Sequence, residues 1–314
     1  MGYKIVCIGG GTGLPNLLRG LKEYTNEITA IVTVADDGGS SGRLRDEMKI
    51  LPPGDIRNCL LALADTEPLM EMLFQYRFNS GSLKGHSFGN LFLAAMTEML
   101  GDFELAIKES SKVLAVRGRV LPSTLEDVKL EAEYDDGTVI CGESRIPQQS
   151  QKISRVRLVP SNAKPLNEAV VAVKEADAVV LGPGSLYTSI IPNLLVKDLT
   201  EAILESDAKK IYVVNIMTQP GETTGYSASD HVKSIVEHSD DRIIEHVVVN
   251  VENIPSKLLL RYHEEGSICV SCDENAIRKM GYRVVTAELI NPSDYVRHSP
   301  KKLADTVINI LNES

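Results

Sequence analysis

Residues 4–43 decide the fold. Lys4-Ile-Val-Cys-Ile8 is an apolar run that enters Gly9-Gly-Gly-Thr-Gly13, and a helical stretch follows through Leu21. A second apolar run, Ile28 to Ala35, ends in Asp36-Asp-Gly-Gly-Ser-Ser-Gly-Arg43. Strand, glycine turn, helix, strand and acidic tip is how an α/β domain builds a nucleotide site. The backbone N–H groups that open such a helix converge on one point, and the helix dipole favours an anion there. A phosphate-bearing ligand is therefore expected.

The spelling of the glycines narrows the ligand. The dinucleotide fingerprint needs Gly-x-Gly-x-x-Gly. Its third position is Leu14 when read from Gly9 and Gly11, and Asn16 when read from Gly11 and Gly13. A Walker loop ends in Gly-Lys-Ser/Thr, whereas Leu14-Pro15 follows Gly13. Pro15 suits a first helical turn, where its missing N–H costs nothing. The turn is of phosphate-binding type but neither the NAD nor the P-loop version, and an NAD-dependent oxidoreductase is disfavoured.

Outward from this stretch, helices are expected at 55–64, 68–78, 91–100 and 103–113. From Val116 to Val159 the period changes to two. Val128–Tyr134, the turn Asp135-Asp-Gly137 and Thr138–Cys141 read as a hairpin in a small antiparallel insertion. Helix–strand alternation then resumes. Helices are expected at 166–176, from about 192, at 229–238 and at 300–311. Strands are expected at 178–181, 211–215, 246–251 and, last, 283–288. Apolar strands without alternation imply a parallel sheet covered on both faces. The fold expected is α/β, a Rossmann-like open, mostly parallel sheet with helices on both faces. It forms one domain over 1–314 with a β-rich insertion at about 116–160.

The chain of 314 residues carries 33 Lys+Arg against 43 Asp+Glu, a net charge of −10. That balance disfavours general binding to nucleic acid or to an anionic membrane. No apolar run approaches the roughly 20 residues of a membrane span. The N-terminus leads straight into a strand rather than a signal peptide. Five cysteines suit a reducing compartment better than a disulfide framework, and a cytoplasmic location is expected. Cys269-Val-Ser-Cys272 has no second pair to complete a zinc site, so reduced structural thiols are the better reading. His238 and His246 are read as surface residues.

Ligands of an open parallel sheet bind beyond the carboxyl ends of its strands. Loops 9–13, 36–43, 182–189 and 215–225 fall at such ends or open helices, and loop 80–90 opens another helix. They supply the expected ligand-binding positions Gly10, Gly11, Thr12, Gly13, Ser41, Arg43, His86, Ser87, Asn90, Gly184, Ser185, Asn215, Thr218 and Gln219. Asp36 and Asp37 could bind a ribose, coordinate Mg²⁺ or act as a base. Pro52-Pro-Gly-Asp-Ile-Arg-Asn58 could bring Asp55, Arg57 and Asn58 to the same crevice, or be a proline turn with Asp55 as helix cap. His86 is a candidate anion donor or general acid. No Ser–His–Asp set is spelled by local spacing, so no catalytic residue is assigned. No cofactor is required by these motifs, and Mg²⁺ held with a nucleotide diphosphate is the one allowance.

Gly9–Pro15, Ala35–Arg45, Pro53–Asn58 and Gly85-His-Ser-Phe-Gly-Asn90 resemble the bacterial gluconeogenesis factor family, also called YvcK, within the wider CofD-like group. Gly182–Ser189, Asn215–Thr223 and Tyr295-Val-Arg-His298 extend the resemblance nearly end to end. The resemblance implies a Rossmann-like cytoplasmic protein that binds UDP-sugars, UDP-N-acetylglucosamine in particular. It further implies a regulatory role in wall-precursor metabolism, supporting cell shape and growth on gluconeogenic carbon sources. It leaves open a protein partner in wall-precursor synthesis and a homo-oligomer. Carried onto this chain, it adds Tyr262 and Arg297 as sugar-nucleotide contacts. The group's enzyme branch, 2-phospho-L-lactate transferase, shares the first glycine turn and the paired Asp. The Gly42-Arg-Leu-Arg45 segment and the 85–90 loop side with the gluconeogenesis factors. The alternative is a Mg²⁺-dependent CofD-like transferase acting on a nucleotide-diphosphate donor.

Overall fold

Every residue of the first two strands is buried, as unalternating apolar runs covered on both faces require. In a computed structural model that describes residues 2–292 and 295–313, the strands are β1 (Ile5–Gly9), β2 (Ile28–Val32), β3 (Arg119–Pro122), β4 (Lys129–Tyr134), β5 (Val139–Cys141), β6 (Ile153–Val159), β7 (Ala178–Leu181), β8 (Lys209–Val213), β9 (His246–Asn250), β10 (Arg283–Ala287), β11 (Ile290–Pro292) and β12 (Val296–His298). Seven of them form one sheet in the order β10-β9-β8-β7-β1-β2-β3, and every pairing in it is parallel. The fold is α/β and Rossmann-like.

The strand order fixes where a ligand can enter. The chain winds outward from β1 through β2 to β3, then returns to lay β7 on the other side of β1. The direction of winding reverses between β1 and β7, and this switch point opens a crevice at the carboxyl ends of the two strands. The glycine loop leaves β1 there, and the Gly182–Ser185 loop leaves β7 beside it. The Leu14–Leu21 helix then runs down the sheet with Pro15 in its first turn and packs against the C-terminal Pro300–Asn312 helix.

Several expectations are corrected. Residues 39–43, read as a loop, open a helix, Gly39–Met48. Its Gly/Ser-rich start has poor helix propensity, yet Gly42 is required by packing. A Cβ there would stand 2.0 Å from the Asp37 carbonyl oxygen. β3 lies inside the stretch expected as insertion but joins the main sheet beside β2. The separate antiparallel sheet, order β5-β4-β6, starts only at Lys129. β10 is the outer strand of the main sheet, but the β11–β12 hairpin follows it in the chain. His246 sits in β9 at 4% exposure because that strand is covered on both faces. His238 is half-buried, its Nε2 accepting from the Val156 N–H at 3.0 Å.

A small second apolar cluster stands apart from the main core. Ile216, Met217, Ile254, Ile290 and Val296 form it, with Leu258, Leu259 and Tyr262 packed against them. It joins the Ser256–Glu264 helix, none of whose residues is buried, to the β11–β12 hairpin. This unit rests over the ends of β8 and β9.

Candidate functional site at the switch point

A cleft of about 370 Å³ opens where the loops after β1, β7 and β8 meet the small apolar unit. Thr12, Gly13, Gly184, Ser185, Asn215, Thr218, Gln219, Tyr262 and Arg297 all line it. Residues from five separate parts of the chain, three expected from the motifs and Tyr262 and Arg297 from the resemblance, therefore share one concave surface.

The wall formed by the β7 and β8 loops is held by side chains that are themselves tied to the backbone. Asn215 spans the β7 loop: its Oδ1 accepts from the Gly184 N–H at 3.2 Å and its Nδ2 donates to the Gly184 carbonyl at 2.7 Å. Gln219 donates to Ser185 Oγ at 2.7 Å. The β1 and β7 loops touch so closely that a Cβ on Gly13 would lie 2.6 Å from the Pro183 carbonyl oxygen. Gly184 has its N–H engaged by Asn215, so its part is close approach rather than anion donation.

The opposite wall comes from the small unit. Tyr262 is fixed through its hydroxyl, which accepts from the Val296 N–H at 3.0 Å. Arg297 is exposed on β12, and its guanidinium lies 5.7 Å from the Tyr295 ring centroid. A fixed aromatic ring and an exposed guanidinium lining one cleft suit a base or sugar next to a diphosphate.

The remaining expected residues form a second group behind the glycine loop. Asp55 accepts from the Gly11 N–H at 2.6 Å, so that donor is spent inside the protein and Asp55 braces the loop against Gly10 and Gly11. Burial raises the Asp55 carboxyl from 3.8 to about 6, with the Gly11 N–H and Arg57 opposing and Asp36 adding. Asp36 accepts from Gly38 N–H at 2.8 Å; burial raises its pKa, and a hydrogen bond from Ser41 works against this. Asp37 accepts from Ser144 N–H at 2.8 Å. Adjacent residues on an extended chain face opposite sides, which explains why the two carboxylates meet different partners.

Arg57 donates to Ser87 Oγ, to Asn90 Oδ1 at 2.9 Å and to Asn58 Oδ1 at 2.7 Å. Ser40 hydrogen-bonds His86 Nδ1 at 3.0 Å and accepts from Asn90 Nδ2 at 3.1 Å. Burial, then Arg43, lowers the His86 pKa, so the ring is neutral near pH 7. Arg43 itself donates to the Lys84 carbonyl at 2.8 Å. This network ties the openings of the Gly39–Met48 and Phe88–Leu100 helices together.

Sequence reasoning passed over Ser40, Glu143, Glu222 and His298. Burial raises Glu143 from 4.5 to about 8, with Asp36, Glu222, Asp55 and Asp37 adding to the effect. Burial likewise raises Glu222 to about 7. Glu222 stood inside a quoted loop but matched no chemistry-bearing spacing, and Glu143 reaches the others only through the tertiary fold. Among the described residues no group of three or more His, Cys, Asp or Glu is arranged to hold a metal ion. One or two carboxylates plus ligand phosphate is still a Mg²⁺ arrangement. Asp37 adds to the upward shift at Asp36 and Asp36 to that at Asp55, and Asp36 with Asp37 is the pair the sequence offers for it.

Residues 5–290 match the family 2-phospho-L-lactate transferase CofD. A gluconeogenesis factor of Bacillus subtilis is 52% identical over 312 residues, covering 99% of this chain and 98% of its own length. The chain belongs to the CofD-like gluconeogenesis factor family. Another gluconeogenesis factor, from Halalkalibacterium halodurans, is 49% identical over 307 residues, 97% of this chain and 95% of that one. The crystal structure of a UPF0052-family protein from Bacillus halodurans superposes with a TM-score of 0.95 at 49% identity, covering 98% of this chain and 99% of that chain. A member of this family thus carries the switch-point cleft described above. Among the described residues no helix is long and apolar enough to cross a membrane.

Proposed function

We propose that this cleft binds a nucleoside diphosphate sugar, UDP-N-acetylglucosamine in particular. The chain then acts as a cytoplasmic binding regulator of wall-precursor metabolism rather than through turnover. In this reading all 314 residues work as one unit, and cell shape and growth on gluconeogenic carbon depend on it. The observation that carries the reading is convergence: the two switch-point loops meet Tyr262 and Arg297, from a separately packed unit, across one cleft. A guanidinium grips a diphosphate through paired hydrogen bonds. Isothermal titration of UDP-N-acetylglucosamine into wild type and Arg297→Ala, each with and without Mg²⁺, tests it. Expected are binding by the wild type and at least roughly tenfold weaker binding by the variant. No binding by a folded wild type overturns the reading.

The raised carboxyls of Asp55, Glu143 and Glu222 favour one alternative. In a Mg²⁺-dependent transferase, Asp36 and Asp37 would hold the cation against the diphosphate and neutralise charge on the leaving group. Its signature is Mg²⁺-dependent consumption of a nucleotide-activated donor, lost in a folded Asp37→Ala.

A further inference from the structure

The Pro68–Gln75 helix is covered on one side only. Glu71 and Gln75 are its only polar residues, and a helix apolar all round is normally packed on every side. Here Phe74 alone is buried, set against Phe88 and Phe92 with ring centroids 5.8 and 5.0 Å away. Leu69, Met72, Leu73 and Tyr76 are exposed instead, Leu69 at 75% and Met72 at 69%. Their spacing of i, i+3, i+4 and i+7 lines one helical face. Phe74 lies about 150° round the helix from the middle of that stripe.

A core-facing stripe therefore points away from the core. Contiguous apolar surface of this kind marks an interaction site. None of residues 67–83 lines the switch-point cleft, so the stripe has a role apart from the ligand. Its far end is held in shape by the short hairpin that follows the helix. The Phe78 N–H donates to the His86 carbonyl at 2.9 Å and the Phe88 N–H to the Tyr76 carbonyl at 2.8 Å. The Tyr76 ring meets Phe78 edge-on at 5.2 Å. Little order has to be created when a partner arrives.

The charges say what the partner is. Exposed Glu67 precedes the stripe and exposed Arg77 follows it, with the Arg77 guanidinium positioned by donating to the Gly85 carbonyl at 2.5 Å. Glu71 and Gln75, hydrogen-bonded to each other at 3.1 Å, border the stripe as a polar rim. A stripe with an acid at one end and a base at the other complements itself when turned end for end. An anionic membrane is a poor match, because Glu67 sits at its edge and the chain carries a net charge of −10.

We propose that the Pro68–Gln75 helix is a homodimer contact, packed antiparallel on the same helix of a second copy. A two-fold axis between Met72 and Leu73 sets Glu67 of each copy beside Arg77 of the other, as a self-complementary interface requires. A stripe of this length falls at the small end of specific interfaces, below about 1,200 Å² in total, so the association is reversible.

Sedimentation velocity of the whole chain across about 1–200 µM, where so small an interface should associate, tests it. The wild type should pass from monomer to dimer. Met72→Glu should weaken the dimer at least roughly tenfold by placing charge at the two-fold axis. Met72 is exposed, so its replacement leaves the fold intact, which circular dichroism checks. Glu67→Arg and Arg77→Glu should each weaken self-association roughly threefold or more by setting like charges together. An equimolar mixture of those two variants should recover the wild-type affinity as a heterodimer, because each charge then meets its opposite. A wild type that is monomeric throughout overturns the proposal. So does a dimer indifferent to Met72→Glu, which lies on another surface, or a mixture as weak as the single variants, which rules out the antiparallel pairing. A monomeric wild type that co-sediments with phosphatidylglycerol vesicles, while Met72→Glu stays in the supernatant, overturns it in favour of a membrane.

Discussion

Glu222 is a carboxyl with 5% exposure, accepting from the Tyr187 N–H and Thr188 Oγ1, each at 3.3 Å. Burial, the largest influence, moves its pKa from 4.5 to about 7. The folded state therefore holds a proton that the unfolded chain has released between those values. Stability from this group is fully present below about pH 4.5 and declines as pH rises toward 7. Thermal melts from pH 4.5 to 8 should show this decline, and Glu222→Gln should flatten it by up to one proton, about 1.4 kcal/mol per pH unit. A variant whose pH profile matches the wild type overturns the assignment. Gly13 makes a second case at this scale. Gly13→Ala should drive the β1 and β7 loops apart, because its Cβ would meet Pro183 O at 2.6 Å. Overpacking of this kind costs about 1–3 kcal/mol, and nucleotide binding should fall more steeply than stability does. Gly9→Ala is the control, since its Cβ would meet nothing closer than 3.7 Å.

At the scale of elements, the small unit over the cleft packs through an apolar cluster of its own. The Ser256–Glu264 helix buries none of its residues, and the Tyr262 hydroxyl supplies the Val296 N–H with its acceptor. Tyr262→Phe removes that acceptor at a local cost of about 1 kcal/mol. Because this unit has its own cluster, amide exchange in β11–β12 should quicken while the midpoint of global unfolding barely moves. A drop in the global midpoint of many degrees would show instead that the unit is part of the main core. What the sequence disclosed divides along the same physical lines. β1, β2, β7 and β9 are buried along their whole length, so they read as plain apolar runs. The Gly39–Met48 helix was hidden because its glycines serve tight packing against Asp37 rather than a turn. β3 was hidden because its neighbours in sequence alternate while its neighbour in space is β2. The glycine and Asn215 loops were legible as site because small and polar residues follow apolar strands. His298 was not, since only the fold buries it beside a cleft.

For the whole molecule, the sheet and the small unit are linked through the cleft they share. The sheet's loops hold one wall in place through Asn215, Asp55 and the β1–β7 contact. The small unit holds the other wall with sparse packing, and sparsely packed regions open before the core does. A ligand that touches both walls must then stabilise the weaker one most. UDP-N-acetylglucosamine at about 100 times its Kd adds about 2.7 kcal/mol to the folded state, a rise of several degrees in the unfolding midpoint for a chain of this size. Hydrogen exchange should place the gain. Protection should rise across Ser256–Glu264 and β11–β12, and the fully buried β7 and β9 should change little. Arg297→Ala should abolish that added protection without altering exchange in the unliganded protein, because the guanidinium is exposed on β12. Protection appearing instead around Asp36, Asp55 and the 85–90 loop would place the ligand in the second group and require the walls to be reassigned.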